Sequence, residues 1–352
     1  MSGEVDRDAS DLLLEQVNRA RANTTPLRIQ GSNSKAFLGR EVAGEVLDTR
    51  VHRGIVHYDP TELVVTVRAG TPLRELLAAL DNAGQQLPCE PPAFAEHATV
   101  GGMVATGLSG PRRPWAGSVR DFVLGTRLIS GHGTLLRFGG EVMKNVAGYD
   151  LSRLLAGSLG CLGVIIEVSL KVLPKPRHSL SIRLEMGSAE ALENLAEWGR
   201  QPLPISAASH DGDCLHLRLE GGEGSVSAAH QRFGGEVIDS RYWSDLNEHR
   251  LVFFDEGLPL WRLSVPNHVG PLDLPGPQLL DWAGAQRWLK TDADTVQALA
   301  REVGGHATCY SHGATDTPFQ PLAPALLRYH RSLKAQLDPL GLFNPGRMYP
   351  QF

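Results

Sequence analysis

The sequence predicts an α+β fold: a larger domain first, a smaller α+β domain after it, and a helical segment at the C-terminal end. Strand-like and helix-like patterns alternate along the 352 residues, a chain too long for one ordinary core. Three loops rich in glycine each abut a strand candidate in the first half. The Pro174-Lys-Pro176 segment then precedes a stretch without such loops, which indicates a domain boundary there.

The elements of the first half follow from their spacing. Ser10 precedes a helix that carries Leu13, Val17 and Ala20 on one face. Runs typical of strands follow at Leu27–Ile29, Glu45–Asp48 and Leu63–Val67. A second helix is predicted with Thr71 as its cap, Pro72 in its first position and Gly84 as its stop. Its apolar face is predicted to comprise Leu73, Leu76, Leu77 and Leu80.

The chain from residue 90 to residue 176 is rich in turns. Glu90–Pro114 contains many Gly and Pro residues and is interpreted as a long functional loop. A hairpin is predicted from Val123–Ser130 and Thr134–Phe138 around Gly131-His-Gly133. A short helix at Leu151–Leu155 and a strand at Val164–Leu173 complete the domain.

We predict domains at residues 1–175, 176–275 and 276–352. The smaller domain has strand candidates at Leu180–Met186, Cys214–Leu219 and Trp261–Val265, and a helix at Ala189–Trp198. A linker rich in Pro and Gly follows at Pro266–Pro277. Asp292–Val303 and Pro324–Leu337 are predicted helices of the last segment.

Composition excludes several functional classes. The formal net charge of −5 gives no support for nucleic acid as a partner. No apolar run approaches the roughly 20 residues of a membrane span, and the acidic N-terminus is unlike a secretory signal. Four scattered cysteines form no CxxC pair, so we expect no bound metal and no iron–sulfur cluster. We therefore expect the chain in the cytoplasm, or on a membrane only through partners.

The three loops suit a dinucleotide. Glycine permits positive φ, so backbone N–H groups can form a nest for phosphate, as in the first loop, Gly31-Ser-Asn-Ser-Lys35. The second loop, Thr99–Gly107, offers bare backbone for a flat ring, although a tightly packed helix start has the same composition. The third loop, Gly157–Gly163, is equally typical of a tight turn. Neither the P-loop nor the Rossmann signature is present, which leaves another kind of dinucleotide binder.

Five longer strings carry a resemblance. They are Gln30-Gly-Ser-Asn-Ser-Lys35, Leu87-Pro-Cys-Glu-Pro-Pro92, Gly117-Ser-Val-Arg-Asp121, Met143-Lys-Asn-Val-Ala-Gly-Tyr-Asp150 and Phe343-Asn-Pro-Gly-Arg-Met348. With the order of the loops, they resemble the FAD-binding family of vanillyl-alcohol oxidase and p-cresol methylhydroxylase over the whole chain. More closely, they resemble the FAD-binding subunits of bacterial glycolate oxidases.

The resemblance implies a p-cresol-methylhydroxylase-type FAD-binding domain of two α/β subdomains, a cap-like second domain, and a C-terminal segment that returns towards the flavin. It implies that the first loop wraps the pyrophosphate, the second lines the cofactor, and Gly157–Ile165 contacts the flavin and adenine ends. The first loop lacks the His that some relatives bond to flavin, so non-covalent FAD is expected. The implied cofactor-binding residues are Gly31, Ser32, Asn33, Ser34, Lys35, Pro92, Thr99, Gly101, Gly102, Gly107, Gly157, Ser158, Gly163 and Ile165.

Catalysis by the chain alone is less well supported. Oxidation of a 2-hydroxy acid needs a cation for the carboxylate and a base for the hydroxyl proton. The His-rich, metal-binding segment of the catalytic relatives is missing, and His306 is the weak candidate base, although a His after two glycines is typical of ordinary loops and strands. Arg120 and Arg127 could hold a carboxylate or be solvated or paired. Trp282 and Trp288 could stack near a flavin but suit core anchoring better.

The resemblance also implies a complex with a larger flavin subunit and an iron–sulfur subunit, peripheral to the inner membrane through those partners. Pro111-Arg-Arg-Pro-Trp115 is either a docking element or an ordered structural loop. Three hypotheses follow: a subunit of a heteromeric glycolate oxidase, a self-sufficient 2-hydroxy-acid dehydrogenase, and a scaffold subunit that retains the fold.

Overall fold

The computed structural model describes residues 6–140, 150–255 and 257–352. The described residues of Met1–Leu108, Ser118–Pro174 and Pro321–Phe352 form one compact unit, called unit 1. Those of Ser109–Gly117 and Lys175–Gln320 form another, called unit 2. The division into domains at residues 1–175, 176–275 and 276–352 stays a prediction.

The elements are numbered in chain order. The helices are α1 (Ser10–Asn23), α2 (Leu73–Asn82), α3 (Val100–Thr106), α4 (Arg113–Ala116), α5 (Val119–Phe122), α6 (Leu151–Leu154), α7 (Ser188–Trp198), α8 (Glu223–Phe233), α9 (Arg241–Asn247), α10 (Val296–Glu302) and α11 (Pro324–Leu337). Short 3₁₀ turns lie at Thr49–Val51, Val252–Phe254 and Trp282–Gly284.

The strands are β1 (Leu27–Gln30), β2 (Glu45–Asp48), β3 (Ile55–Asp59), β4 (Val64–Arg68), β5 (Gln85–Gln86), β6 (Val123–Ile129), β7 (Leu135–Gly139), β8 (Val164–Lys171), β9 (Leu173–Pro174), β10 (His178–Glu185), β11 (Ile205–His210), β12 (Cys214–Gly221), β13 (Glu236–Ile238), β14 (Leu260–Ser264), β15 (Gln278–Asp281), β16 (Gln286–Lys290) and β17 (His306–Cys309).

Unit 1 is built on an antiparallel sheet in the order β3-β4-β8-β6-β7. The central strand β8 is buried along most of its length, because both of its neighbours and the helices cover it. The short parallel pair β1-β2 lies apart from this sheet. One core cluster joins α1, the pair β1-β2, the sheet and the C-terminal segment. It includes Leu13, Leu27, Leu47, Ile166 and Phe343. The C-terminal end of the chain is therefore part of unit 1's core.

The predicted elements of unit 1 are largely confirmed, with three corrections. Leu77 is 40% exposed, so the buried stripe of α2 does not include it. The hydroxyl of Thr71 does not cap α2, because it accepts a hydrogen bond from the Gly54 N–H at 2.8 Å. The predicted loop Glu90–Pro114 contains helix α3, with Thr99 as its cap and Gly107 as its left-handed end. Small residues suit that helix because it packs closely against the sheet.

Unit 2 is built on a second antiparallel sheet in the order β13-β10-β12-β11-β15-β16-β14-β17. One face carries apolar residues under α7 and α8, among them Ile182, Leu217 and Leu219. The same face is covered at its other end by α10, which packs on Leu263 and Leu289. Strand side chains alternate between faces, so the residues between these leucines lie on the opposite face. The predicted α+β fold class is confirmed.

Candidate functional site

A cleft in unit 1 joins the first loop, α3 and the third loop. It consists of two adjoining cavities that open to solvent, with about 510 and 410 Å³ of space when the open part is included. The two cavities share the wall residues Ile29, Gln30, Gly31, Gly102, Ala105, Leu159 and Asn344. Because that wall is common to both, an elongated molecule can extend from one cavity into the other.

The first loop forms an anion nest at one end of the cleft. Its residues 31 to 35 all line the first cavity. Asn33 is left-handed, with a φ of 64°, so the direction of the backbone N–H groups changes within the loop. In the described parts of the chain, the N–H groups of Ser32, Asn33 and Ser34 have no acceptor. Successive N–H groups in such a turn suit a phosphate oxygen.

Buried positive charge accompanies the nest. Lys35 is only 7% exposed, and its Nζ donates to the carbonyl of Ala93 at 3.1 Å. Arg347 lines the same cavity, and its buried Nε has no hydrogen-bond partner. Burial, with a smaller contribution from Arg28, lowers the pKa of Arg347, and no described carboxylate forms an ion pair with it. Its Nη2 donates to the Lys35 carbonyl at 3.4 Å, which leaves the charge without a carboxylate partner, so an anionic ligand fits here.

Helix α3 supplies a wall of the cleft but few free N–H groups. The Thr99 hydroxyl accepts from the Gly102 N–H at 3.2 Å. The N–H groups of Val100 and Gly101 donate to the carbonyls of Thr71 and Ala69. Since the amides at this helix start are already satisfied, the helix offers a smooth surface of small residues to a ligand. The second loop is a helix start, as one of the two interpretations predicted, and its contact with a flat ring stays a prediction.

Close packing explains several of the glycines. A Cβ on Gly31 would come within 2.3 Å of the Thr99 Oγ1, and one on Gly101 within 2.7 Å of the Ala69 Cβ. A Cβ on Gly163 would lie 2.4 Å from a Leu128 methyl group. These contacts are shorter than real Cβ contacts, so the loops can approach the sheet only because these residues are glycine.

The third loop is tied to α3 by backbone hydrogen bonds. The N–H groups of Gly157 and Leu159 donate to the carbonyls of Val104 and Ala105 at 3.0 and 2.8 Å. Gly163 and Ile165 line the second cavity. Four predicted contacts are not among the described residues that line either cavity, and their role stays a prediction: Pro92, Gly107, Gly157 and Ser158. The string at 143–149 lies outside the described residues.

Asn344 joins the first and third loops, and it was not among the predicted site residues. Its Oδ1 accepts from the Ile29 N–H at 2.8 Å, and its Nδ2 donates to the Leu159 carbonyl at 2.7 Å. It lines both cavities and has a φ of 40°. The Phe343–Met348 string was the one available signal for it. The C-terminal segment therefore closes the cleft as well as turning the chain.

A buried ion pair anchors this segment. The Lys334 Nζ donates to Asp338 Oδ2 and to the carbonyls of Cys161 and Phe343, each at 2.7 Å. Asp338 also accepts from the N–H groups of Leu342 and Phe343. Both side chains are almost fully buried. This network fixes the position of Asn344, one residue beyond Phe343.

The predicted catalytic candidates are not among the described residues that line the two cavities. His306 begins β17 in unit 2, while Arg127 is paired with Glu167 at 2.7 Å in unit 1. Trp282 and Trp288 are 6% and 5% exposed, which confirms their core role in unit 2. Within Pro111–Trp115 the chain enters the short helix α4, and both cations of the segment are engaged within unit 2; the docking interpretation stays a prediction.

In that segment, Arg112 is bonded to Glu220, with an Nη2 to Oε1 distance of 2.9 Å. Arg113 lies over the ring of Trp282, 4.3 Å from its centre. Trp115 is 38% exposed, and Arg113 and Pro114 are exposed as well.

Comparisons with known proteins identify relatives that bind FAD or form part of glycolate oxidases. A family model described as "FAD binding domain" matches residues 10–139. The chain is 61% identical over 346 residues, 98% of both chains, to the glycolate oxidase subunit GlcE of Escherichia coli (strain K12). It is 35% identical over 122 residues to the glycolate oxidase subunit GlcD of Bacillus subtilis (strain 168), which covers 35% of this chain and 26% of that one.

A solved structure of alkyldihydroxyacetonephosphate synthase aligns with a TM-score of 0.67 at 16% identity, over 96% of this chain and 74% of that one. At that identity the likeness concerns the fold alone. In the described parts of the chain, no helix is long and apolar enough to cross a bilayer. Nor do the described His, Cys, Asp and Glu side chains form a group of three or more that could hold a metal ion.

Proposed function

The chain belongs to the family of the glycolate oxidase subunit GlcE, and from this premise we propose that it carries FAD in a heteromeric oxidase that converts glycolate to glyoxylate. It is an FAD-dependent oxidoreductase subunit that acts on 2-hydroxy acids. The observation that carries the proposal is the cleft of unit 1, in a chain 61% identical to such a subunit. There, N–H groups of the first loop and the half-buried Arg347, whose Nε has no hydrogen-bond partner, line one cavity.

The residues present fit the cofactor. The N–H groups of the first loop, with Lys35 and Arg347, would hold the pyrophosphate. The small residues of α3 and the third loop would line the rest of the dinucleotide. FAD, when bound, supplies the acceptor for the hydride of a 2-hydroxy acid. The first loop has no histidine, so we expect the cofactor to be held without a covalent bond.

Further subunits are part of the proposal. The four cysteines are buried and form no disulfide, and no group of three or more described His, Cys, Asp or Glu side chains could hold a metal ion. The names of the E. coli and B. subtilis relatives describe subunits. We propose a larger flavin subunit and an iron–sulfur subunit as partners, in the cytoplasm and at the inner membrane through those partners.

Flavin analysis of the purified chain tests the cofactor. We expect a yellow protein whose flavin is released by acid into the supernatant, at one FAD per chain or less. Arg347→Met should weaken FAD binding about tenfold or more, because a charge-assisted bond is lost. Arg40→Met is the matched control, because Arg40 is not among the described residues that line either cavity. A colourless protein that cannot be reconstituted with FAD would contradict the proposal.

Reduction by substrate tests the heteromeric part. Under anaerobic conditions, we expect glycolate to bleach the flavin of the complete complex and leave that of the isolated chain oxidised. Rapid bleaching of the isolated chain would favour a self-sufficient dehydrogenase. A chain that restores activity to its partners without any flavin would favour a scaffold.

A further inference from the structure

Helix α11 of unit 1 is open to solvent along most of its length. Lys334 is buried, whereas the other residues of the helix are exposed or half-buried. Its last turn is anchored, because the Leu337 carbonyl accepts a hydrogen bond from the Gly131 N–H at 2.7 Å. Among the described residues, none outside the helix and its cap forms a hydrogen bond with residues 324–333. The first part of α11 therefore has little support from the rest of the chain.

An apolar stripe on this helix extends beyond the residues that cover it. Residues three or four positions apart share one side of a helix, as Leu326, His330 and Leu333 do. Leu333 is half-buried and the His330 ring lies 5.8 Å from the Phe352 ring, but Leu326 is 51% exposed. Beside this stripe, Tyr329 is 65% exposed. Two large side chains that are uncovered at adjacent places on one helix indicate a contact surface.

Positive charge accompanies the stripe. Arg328 and Arg331 are three positions apart and exposed, and neither forms an ion pair with a described carboxylate. The Arg328 guanidinium lies 5.7 Å from the centre of the Tyr329 ring. Residues 321–352 include four basic residues and one acidic residue, although the chain has a net charge of −5. The positive charge is therefore local to this segment.

A groove opens beside the arginines. Arg331 and Ala335 of the helix line it, together with three prolines and Phe352 from the chain that follows. It has about 720 Å³ of space when the part open to solvent is included. Lys334 and Asp338 also line the groove, but they are paired with each other. Among the described lining residues, Arg331 is therefore the cation that remains available to an outside carboxylate.

Shape and charge together favour one kind of occupant. Arginine and tyrosine beside uncovered apolar side chains are typical of protein interfaces. A groove can take a protruding segment of polypeptide, whereas the surface of a bilayer is flat. An anionic bilayer would also repel a chain with a net charge of −5, while a carboxylate in direct contact with an arginine is little affected by distant charges. A second copy could not use the same patch, because its arginines would face like charges.

We propose that residues 324–333 of α11, with the groove beside Arg331, form the docking surface for an acidic segment of a partner subunit. Arg328 and Arg331 pair with carboxylates of that segment, and Leu326 and Tyr329 pack against its apolar side chains. That the partner is a subunit of the oxidase rests on the proposed function, whereas the docking surface itself rests on the exposure and charge of α11.

Binding of the full chain to the other purified subunits of the oxidase tests this surface, with the dissociation constant measured on the immobilised chain. In the double variant Arg328→Glu, Arg331→Glu, we expect the affinity to fall about 100-fold or more, because each carboxylate of the partner then meets a like charge. The neutral variant Arg328→Gln, Arg331→Gln should lose less affinity, and its binding should depend less on salt than that of the wild type. Arg19→Glu, at an exposed position of α1, is the matched control and should bind as the wild type does.

A second readout separates docking from a folding defect. Amide hydrogen exchange of residues 324–333 should slow on assembly in the wild type and in Arg19→Glu. Flavin content and urea-induced flavin release should be equal in all variants, because neither Arg328 nor Arg331 is among the described residues that line the cleft.

Three results would overturn the proposal. The first is wild-type affinity in the double glutamate variant, or unchanged exchange of residues 324–333 in the complex. The second is binding of the isolated chain to phosphatidylglycerol vesicles that depends on Arg328 and Arg331, which would assign the surface to a bilayer. The third is self-association that depends on the same two arginines, which would assign it to a second copy.

The outcomes also distinguish this inference from the proposed function. A complex that forms equally well, with its flavin, in every variant would overturn the docking surface alone. A flavin-free chain that assembles only with both arginines intact would remove the cofactor proposal and keep the docking surface. A wild-type chain that binds none of the other subunits would contradict the heteromeric function, and the docking surface with it.

Discussion

The cleft of unit 1 and the polar face of the unit 2 sheet, on the side away from its core leucines, are assembled in opposite ways. Most of the cleft comes from short continuous runs, such as Gly31–Lys35 and Val100–Thr106. The polar face comes from single residues at every second position of several strands, such as Arg218 and Arg262. Continuous runs leave a pattern in the sequence, whereas a face made by strand register leaves almost none. Sequence therefore indicates the cleft far more readily than the polar face.

The largest effect is expected from a change in the C-terminal segment, the part of the cleft that is most distant in sequence from the first loop. Lys334→Met would leave Asp338 as a buried charge without its partner. We expect a loss of about 3–5 kcal/mol in the free energy of unfolding of unit 1, together with weaker FAD binding. All six tryptophans lie in unit 2, so their fluorescence does not follow the unfolding of unit 1. Flavin release in urea is therefore the measurement for unit 1.

Lys171→Met, at the partly exposed end of β8, is the control and should change little. If Lys334→Met released flavin at the wild-type urea concentration, the C-terminal anchor would not support the cleft.

The fold was predictable to the extent that it depends on local pattern. Helix α11 has its predicted bounds, and the hairpin of β6 and β7 forms around Gly131–Gly133. The prediction was wrong where packing decides. Leu77 has helical spacing but faces solvent, and the Gly-rich stretch after residue 90 contains a helix. Hydrophobic periodicity cannot tell which turn of a helix a neighbour covers.

The site was predictable in part for the same reason. The first loop was predicted as a nest from composition, and its free N–H groups fit that interpretation. Asn344 binds Ile29 across 315 positions and Leu159 across 185, so no local pattern could place it. Which side chains of α11 stay uncovered, such as Tyr329, is likewise visible only in three dimensions.

Acidification should lower the free energy of unfolding of unit 2. Burial lowers the folded-state pKa of His249 to about 3, below the value of about 6.5 expected when unfolded. The unfolded chain then binds the extra proton between these values, so His249 stabilises unit 2 fully above pH 6.5 and less as the pH falls. By pH 4 the loss should reach up to about 3 kcal/mol.

Tryptophan fluorescence during urea unfolding, measured from pH 7 to pH 4, checks this expectation, with Trp288 beside the imidazole. His249→Phe keeps the ring contacts and should flatten the pH dependence. The exposed His268→Phe should not. An equal slope in wild type and His249→Phe would assign the acid sensitivity to other groups.

A smaller effect is expected from the tightest glycine of the cleft. In Gly31→Ala, the new methyl group would meet the buried Thr99 hydroxyl at 2.3 Å. The loop must shift, at a cost of about 1–3 kcal/mol, and FAD should bind at least about tenfold more weakly. Quenching of flavin fluorescence on binding gives the dissociation constant. Unchanged affinity would mean that the first loop does not position the pyrophosphate.

The smallest effect, and one of opposite sign, is expected from a glycine of unit 2. Gly224 lies in the first turn of α8, is exposed, and a Cβ there would have no atom within 4 Å. Gly224→Ala should stabilise unit 2 by up to about 1 kcal/mol, because alanine loses less conformational freedom in a helix. The urea midpoint followed by tryptophan fluorescence measures it. Loss of stability would show that glycine is required there too, and the contrast with Gly31 would fail. A gain would confine that requirement to positions where the backbone approaches another group closely, as Gly31 approaches the Thr99 side chain.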